Sequence, residues 1–516
     1  MRRKIVDAAV LAILSVLWCR KVAALWWTFD DPFHLNLIRE RTAADLLFSS
    51  AFWRAFPSHV FTPLLLLSLK LDLQLFGLNA RAFYMHQIIS FACVAPLLYL
   101  LLREWIAPVP AICGALIAVA GVPMIEVTQR LMDRHYIEGL ILALLATLLF
   151  VRQRYIPSAA LYLAAMLAKE IFVPLIVLLL VLGAPASSPA AAGRRRASRR
   201  DGGVPHLIAL AVYVVWRVAM LGPRLESYGW AVKPSDWPRV LATLPWRMLT
   251  VLAHASAAGW ISLALMAAAV IFAGRKRPWL VFAGAAVAIL PIVPVSFEIQ
   301  ARYALAAWIL AAIAVASVRI KFAPVVVLLA VSIAARGEWA DSYRMQKRMS
   351  NEARVFSMIG AGDVLWLPAT PPATLPELAR LTGSPAQWTY DPLPLCAGRL
   401  RARRFFTYVT PNVREVSREE VMRDCAANRI APLTVDFEAT RGALFWSFGP
   451  YDGGTYRVVI ADGRQGFDVP RRAGFQLAGV PALPLRIRYQ SPAGWVTYSD
   501  DLTVSLAEGS RVSWHR

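Results

Sequence analysis

Between residues 5 and 335 the chain alternates long apolar runs with short polar segments, and beyond 335 the runs stop. A run of about 20 largely apolar residues is what a helix needs to cross a hydrocarbon layer. Candidate spans fall at 5–26, 83–102, 107–124, 136–151, 205–221, 256–273, 278–297, 303–318 and 322–335. Composition agrees: 58% of residues are hydrophobic and 17% charged, where a soluble globular protein carries about 25% charged. A soluble enzyme of ordinary make-up is thereby excluded. The start, MRRK followed by IVDAAVLAILSVLW, has the basic and apolar regions of a signal peptide. No small-residue cleavage site follows, so it is expected to be an uncleaved first span.

The net charge of +22 would ordinarily raise nucleic-acid binding, but its distribution points to topology. Residues 1–336 hold 33 basic and 15 acidic side chains, and residues 337–516 hold 22 and 18. With the N-terminus in the cytoplasm and the sides alternating, MRRK, Arg103, 152–154, 193–200, 274–277 and 319–321 all fall inside. These segments carry 16 basic residues against two acidic ones, Glu104 and Asp201. That is the positive-inside bias that sets orientation. The run at 193–200 reads as an inside loop touching anionic lipid, and no nucleic-acid partner is expected.

Residues 157–183 have inside signals on both flanks, so a single span there would break the alternation. Two short helices turning at Lys169 and Glu170 preserve it. A Lys and a Glu in mid-span would cost about 5–7 kcal/mol on insertion scales, and a hairpin whose tip faces a water-filled cavity removes most of that. The total is then about eleven spans, with the tail from about 337 outside.

On this threading the acids of the membrane part gather on the outer side: Asp30, Asp31, Glu126, Asp133, Glu170 and Glu298, accompanied by Arg134, Lys169 and Arg302. Ionisable groups at membrane depth are expensive, and a one-sided set of them marks a functional site by default. The loop from Thr28 to Arg81 is apolar for its length and reads as amphipathic helices lying in the outer interface, beside which a lipid-borne substrate could rest. Structural alternatives stand beside each candidate. Asp31 before Pro32 also suits a helix start. Glu126 has Arg130 one turn on, Lys169 and Glu170 could pair with each other, and Arg302 with Tyr303 could anchor an interface. The histidines His34, His59, His86 and His135 lack metal-ligand spacing.

The tail reads as a mixed α/β segment over 337–432 and a β-sandwich-like segment over 433–516, where short alternating runs are separated by turns. Trp446, Tyr451, Trp495 and Tyr498 are either core aromatics or a platform for sugar rings. Cys19, Cys93 and Cys113 lie in apolar runs as small core residues, and Cys396 and Cys425 could pair if the tail faces an oxidising compartment.

FDDPFHL, FTPLLLLSLKLDLQLFGLNARAFYMHQIISF, VPMIEVTQRLMDRHYIEGLILALLATLLF, AALYLAAMLAKEIFVPL, VVWRVAMLG and FEIQARYALAAWIL occur in that order. In this the chain resembles the polytopic GT-C glycosyltransferases, especially bacterial lipopolysaccharide-sugar transferases and O-mannosyltransferase-like proteins. The resemblance covers residues 1–335 and implies a bacterial inner-membrane, multi-pass enzyme with its tail in the periplasm. It implies a polyprenyl-phosphate sugar donor and a glycan, lipid or protein acceptor. Asp30 would then be the general base and Asp31 the second acid of the pair. Glu126 would orient a substrate, Lys169 and Arg302 would meet the donor phosphate with help from Arg134, and Asp133, Glu170 and Tyr303 would line the site. Metal dependence varies in the family and the first loop has no DxD spacing, so no metal is assigned. Pro32 directly after the acidic pair departs from many relatives, and the tail has no TPR array. The alternative from another class is a lipid or glycan transporter, or a non-catalytic assembly partner. A transporter would more often show two similar halves, and here the acids are asymmetric.

Overall fold

A computed structural model of the chain describes residues 2–56, 60–183, 203–223, 234–254, 256–273, 279–295, 299–356, 359–366, 375–409, 412–440, 443–460, 463, 465–476, 482–507 and 509–516. The basic runs at 193–200 and 274–277, and Glu298, lie outside the described residues. The chain forms two compact units: Met1–Leu25 with Leu37–Lys347, and Trp26–Asn36 with Arg348–Arg516.

In chain order the first helices are α1 (Arg2–Cys19), α2 (Asp31–Arg39), α3 (Ala43–Phe48), α4 (Ser50–Ala55), α5 (Pro63–Phe76) and α6 (Ala80–Leu102). There follow α7 (Pro108–Ala120), α8 (Val122–Gln129), α9 (Arg134–Val151), α10 (Tyr155–Ala168), α11 (Leu175–Gly183) and α12 (Val204–Leu221). Then come α13 (Trp237–Leu252), α14 (Ala257–Ala273), α15 (Trp279–Ile289), α16 (Leu305–Ala316) and α17 (Ala323–Phe356). The described residues of the long loop from Thr28 to Arg81 are thus largely helical, in keeping with its amphipathic pattern, with α3 started by a capping box between Thr42 and Asp45.

Within the helical unit α6 packs on α1, α7 and α9, α10 on α9 and α12, and α16 on α7 and α15. Among the described residues four helices are long and apolar enough to cross a membrane: Ala80–Leu102, Leu131–Val151, Val204–Leu221 and Ala323–Asn351. Counting each of two bent pairs as one span raises the number to 6. One such bend, of 53°, joins α7 to α8. It turns at Gly121, where a Cβ would run into the Trp308 indole. That indole donates its Nε1–H to the Ile117 carbonyl at 3.1 Å.

The 157–183 segment does reverse direction. Leu180 of α11 lies against Gly203, three residues before His206, and His206 Nε2 meets the Ser158 hydroxyl at the start of α10 at 2.8 Å. Tyr162 closes the turn from inside, donating to the Val173 carbonyl at 2.7 Å. Gly139 of α9 leaves the room that Phe172 fills.

The second unit holds a four-stranded sheet with order β2-β1-β3-β4, formed by β1 (Asp363–Trp366), β2 (Gln387–Thr389), β3 (Arg404–Val409) and β4 (Asn412–Val416). Its helices are α18 (Leu375–Thr382), α19 (Leu393–Cys396) and α20 (Arg418–Ala426), the last capped by Ser417 on the Glu420 N–H. Cys396 and Cys425 form a disulfide joining α19 to α20.

The sandwich follows, with β5 (Thr434–Thr440), β6 (Ala443–Gly449), β7 (Thr455–Ile460), β8 (Gln465–Val469) and β9 (Arg472–Gln476). Its last strands are β10 (Ala482–Gln490), β11 (Val496–Tyr498), β12 (Leu502–Ser505) and β13 (Arg511–His515). One sheet runs β13-β5-β6-β9 and the other β11-β10-β7-β8 with β12 on β10. The alternation in β5, where Val435, Phe437 and Ala439 point inward, supplies one face of the core, and Leu485, Ile487 and Tyr489 of β10 supply the other. The aromatic quartet belongs largely to this packing. Tyr451 stacks on Tyr489 at 4.4 Å with Trp495 edge-on, Trp446 stacks on Phe448, and Tyr498 is buried.

Candidate functional site

In the helical unit predicted acids of one sequence segment, Glu126 and Asp133, meet Arg302 of another. Its Nη1 donates to Glu126 Oε1 at 2.9 Å and to Asp133 Oδ2 at 3.1 Å, and its backbone N–H donates to Glu126 Oε2 at 3.0 Å. Glu126 also receives Arg130 at 3.1 Å. The bend at Gly121 aims α8 so that Glu126 reaches this point. Tyr303 lies beneath the guanidinium at 5.4 Å, so the RY pair interacts within itself as well as with the acids. Arg302 and Asp133 are buried, and a buried cation between two carboxylates is tightly held.

At the hairpin tip Lys169 and Glu170 take different partners. Glu170 accepts from Arg217 of α12 at 2.8 Å, whereas the Lys169 ammonium sits over the Tyr136 ring at 5.2 Å. Among the described residues no carboxylate forms an ion pair with Lys169. The extended backbone of Lys169, with φ −157° and ψ 135°, ends α10 and begins the turn.

Arg134 is placed elsewhere. It is fully buried and spends its donors on Asp72, the Phe83 carbonyl at 2.7 Å, Gln87 at 3.3 Å and Ser68 at 3.3 Å. Asp72 also takes His86 at 2.8 Å, and Ser68 donates to Glu138 at 2.6 Å. This network ties α5, α6 and α9 together and gives Arg134 a structural duty, with partners different from the acids that gather on Arg302.

The acidic pair Asp30 and Asp31 belongs to the second unit. Phe29 has φ 47°, a left-handed conformation rare for a bulky residue. After it the two acids differ. Asp31 is buried, stands as the first residue of α2 and reaches back to accept the Thr28 N–H at 2.9 Å. The Asp30 carboxylate is half-exposed, and among the described residues no hydrogen bond or ion pair engages it. Its carbonyl accepts both the His34 backbone N–H and Nδ1, each at 2.9 Å. Burial pushes the His34 imidazole below its ordinary value, against the opposing pull of the Asp30 charge. Asn36 holds the segment to α18, donating to the Glu377 carboxylate at 2.7 Å and the Glu377 carbonyl at 2.8 Å.

The sequence reading missed three groups. Glu338 and His254 form an ion pair beside Glu126, and Ser342 donates to Gln129 at 2.9 Å, which docks α17 on α8. His254 has φ 48°, a second left-handed residue. Glu338 follows the point where the apolar run ends, and only the helical phase of α17 brings it back to the cluster. Arg217 was the more legible omission, being the lone charge in an apolar span. Among the described residues no group of three or more His, Cys, Asp or Glu is arranged to hold a metal ion.

No protein-family model matches the chain, and no curated protein matches it. Among solved structures it is similar to ArnT from Cupriavidus metallidurans in the apo state, at 14% sequence identity and a TM-score of 0.41, over 74% of this chain and 85% of that one.

Proposed function

We propose that the chain is a GT-C type integral-membrane glycosyltransferase that moves a hexose or pentose from a polyprenyl-phosphate donor to a glycan, lipid or protein acceptor at the periplasmic face. The observation that supports the reading is the difference within the acidic pair: the buried Asp31 accepts the Thr28 N–H, while among the described residues no hydrogen bond or ion pair holds the half-exposed Asp30 carboxylate. A base must offer a lone pair to the acceptor hydroxyl, and such a carboxylate does. In the reaction Asp30 takes the hydroxyl proton as that oxygen bonds to the anomeric carbon. The bond from the anomeric carbon to the phosphate oxygen breaks, and the electron pair leaves with polyprenyl phosphate. One base and no covalent sugar–enzyme intermediate give inversion.

The departing phosphate gains negative charge and needs a cation that is not already neutralised. Arg302 is bound to two carboxylates, so Lys169 is the group that meets the phosphate and Arg302 holds Glu126 and Asp133 in place. The membrane topology of the proposal has about eleven spans, an N-terminus in the cytoplasm and a periplasmic tail. The tail disulfide supports that orientation, since such bonds persist in oxidising compartments.

The test is turnover in proteoliposomes supplied with polyprenyl-phosphate sugars and an envelope lipid extract, followed by mass spectrometry. Release of polyprenyl phosphate matched by a glycosylated acceptor is the expected result. Unchanged donors, together with unchanged envelope glycans in cells lacking the protein, contradict the reading.

A further inference from the structure

The tail unit contains a cavity of about 430 Å³, within the roughly 300–1,000 Å³ range of small-ligand sites. Arginine dominates its wall: Arg399, Arg429, Arg486 and Arg516 line it together with Asp500 and Asp501. Four guanidiniums against two carboxylates leave a positive balance on the described lining.

The two acids orient two of the arginines without closing the site. Asp501 accepts from Arg486 at 2.7 Å and Asp500 from Arg516 at 2.8 Å, and the two acids are 78% and 67% exposed. Pairs that open to water are weak and yield readily to a better anion. The loops that bring Arg399 and Arg429 are fixed from behind. The Cys396–Cys425 disulfide lies a few residues before each. Arg429 donates its backbone N–H to the Val496 carbonyl at 2.7 Å, and Val496 returns one to Ala427 at 2.8 Å. Below, the Tyr498 hydroxyl is bonded to the buried Asp391 at 2.9 Å. The cavity is therefore built on preorganised backbone.

We propose that this cavity binds a saccharide carrying a phosphate or carboxylate group. Guanidinium forks match those two anions in plane and in pairs. The cavity is larger than a bare anion needs, and Asp500, Asp501 and Asn428 on the same wall offer acceptors and donors for sugar hydroxyls. A neutral sugar has no use for the arginines, and a bare anion has none for the acids. Binding there requires no transfer reaction, so the site stands whether or not the chain is a transferase.

The experiment is calorimetric titration of the full-length protein in detergent with glucose 1-phosphate, glucuronate, glucose and inorganic phosphate. One or both charged sugars should bind, and bind more tightly than inorganic phosphate, with no binding of glucose. Arg429→Gln should weaken the charged sugars roughly tenfold, as loss of a charge-assisted hydrogen bond does. The Arg429 side chain is exposed, so thermal unfolding and the intact disulfide serve as controls that the variant is folded. Glucuronate presented on a diacylglycerol in phosphatidylcholine vesicles, beside the free sugar, tells a glycolipid headgroup from a soluble glycan, and binding of either form supports the site. Absence of charged-sugar binding, equal or tighter binding of inorganic phosphate, or an Arg429→Gln protein that binds as wild type would each overturn it.

Discussion

The helical unit contains two buried arginine knots that look alike in sequence and differ in what they leave open. Arg134 meets Asp72, Gln87, Ser68 and a backbone carbonyl, and is fully buried. Arg302 meets Glu126 and Asp133, but its neighbourhood includes Lys169, whose ammonium has an aromatic ring for a partner in place of a carboxylate. A buried charge that is fully reciprocated is architecture. A cation that no carboxylate holds in an ion pair among the described residues remains available for an anion that arrives later. The difference lies in partner counting, and residue type does not reveal it.

The comparison breaks first at Arg134. Arg134→Met leaves Asp72 buried without its cation, which costs about 3–5 kcal/mol. Thermal unfolding of the detergent-solubilised protein should show that loss, and a variant as stable as wild type would mean the knot is not structural. Lys169→Met should behave oppositely, with an unchanged unfolding transition and donor turnover lower by roughly 100-fold to 1,000-fold, the scale for removing one group that stabilises developing charge. A destabilised Lys169→Met protein with normal turnover per folded molecule would erase the contrast. Arg302→Lys keeps the charge and loses the fork, so one carboxylate is left short of a charged hydrogen bond worth about 1.5–3 kcal/mol. Both stability and turnover should fall, each by less than in the first two variants.

The smallest effect concerns pH in the acidic segment. The folded His34 imidazole titrates below its unfolded value of about 6.5, because burial disfavours the charged ring. The unfolded segment then binds the proton at a higher pH than the folded one. The contribution of His34 is present above about 6.5 and is lost as pH falls through that value toward the folded one. The protection factors of residues 26–36, corrected for the intrinsic pH dependence of amide exchange, should fall between about pH 7.5 and about pH 5.5, and His34→Phe should remove that fall.

Much of this was legible beforehand. Apolar periodicity marked the helices, alternation marked the sandwich strands, and charge parity located the reversal at Lys169. A structural role for Asp31 was visible from Pro32, and its backward bond from the Thr28 N–H was not, because it depends on the turn at Phe29. Other features depend on contacts that no local pattern encodes. Asn36 meets Glu377 across 341 positions, which is why residues 26–36 group with the tail unit. Glu338 was hidden because α17 continues as one helix to Phe356 beyond the apolar run. Arg134 and Arg302 could be told apart only by what surrounds each guanidinium.

The most direct measurement compares Asp30→Asn with Asp31→Asn in the proteoliposome assay. Asn at 31 retains an oxygen for the Thr28 N–H and should stay within roughly fivefold of wild type, since an amide oxygen accepts that bond as a carboxylate oxygen does. Asn at 30 removes the base and should lower kcat by about 100-fold or more, with little change in donor KM. Full turnover by Asp30→Asn, or a deeper loss in Asp31→Asn than in Asp30→Asn, would contradict the assignment of Asp30 as the base.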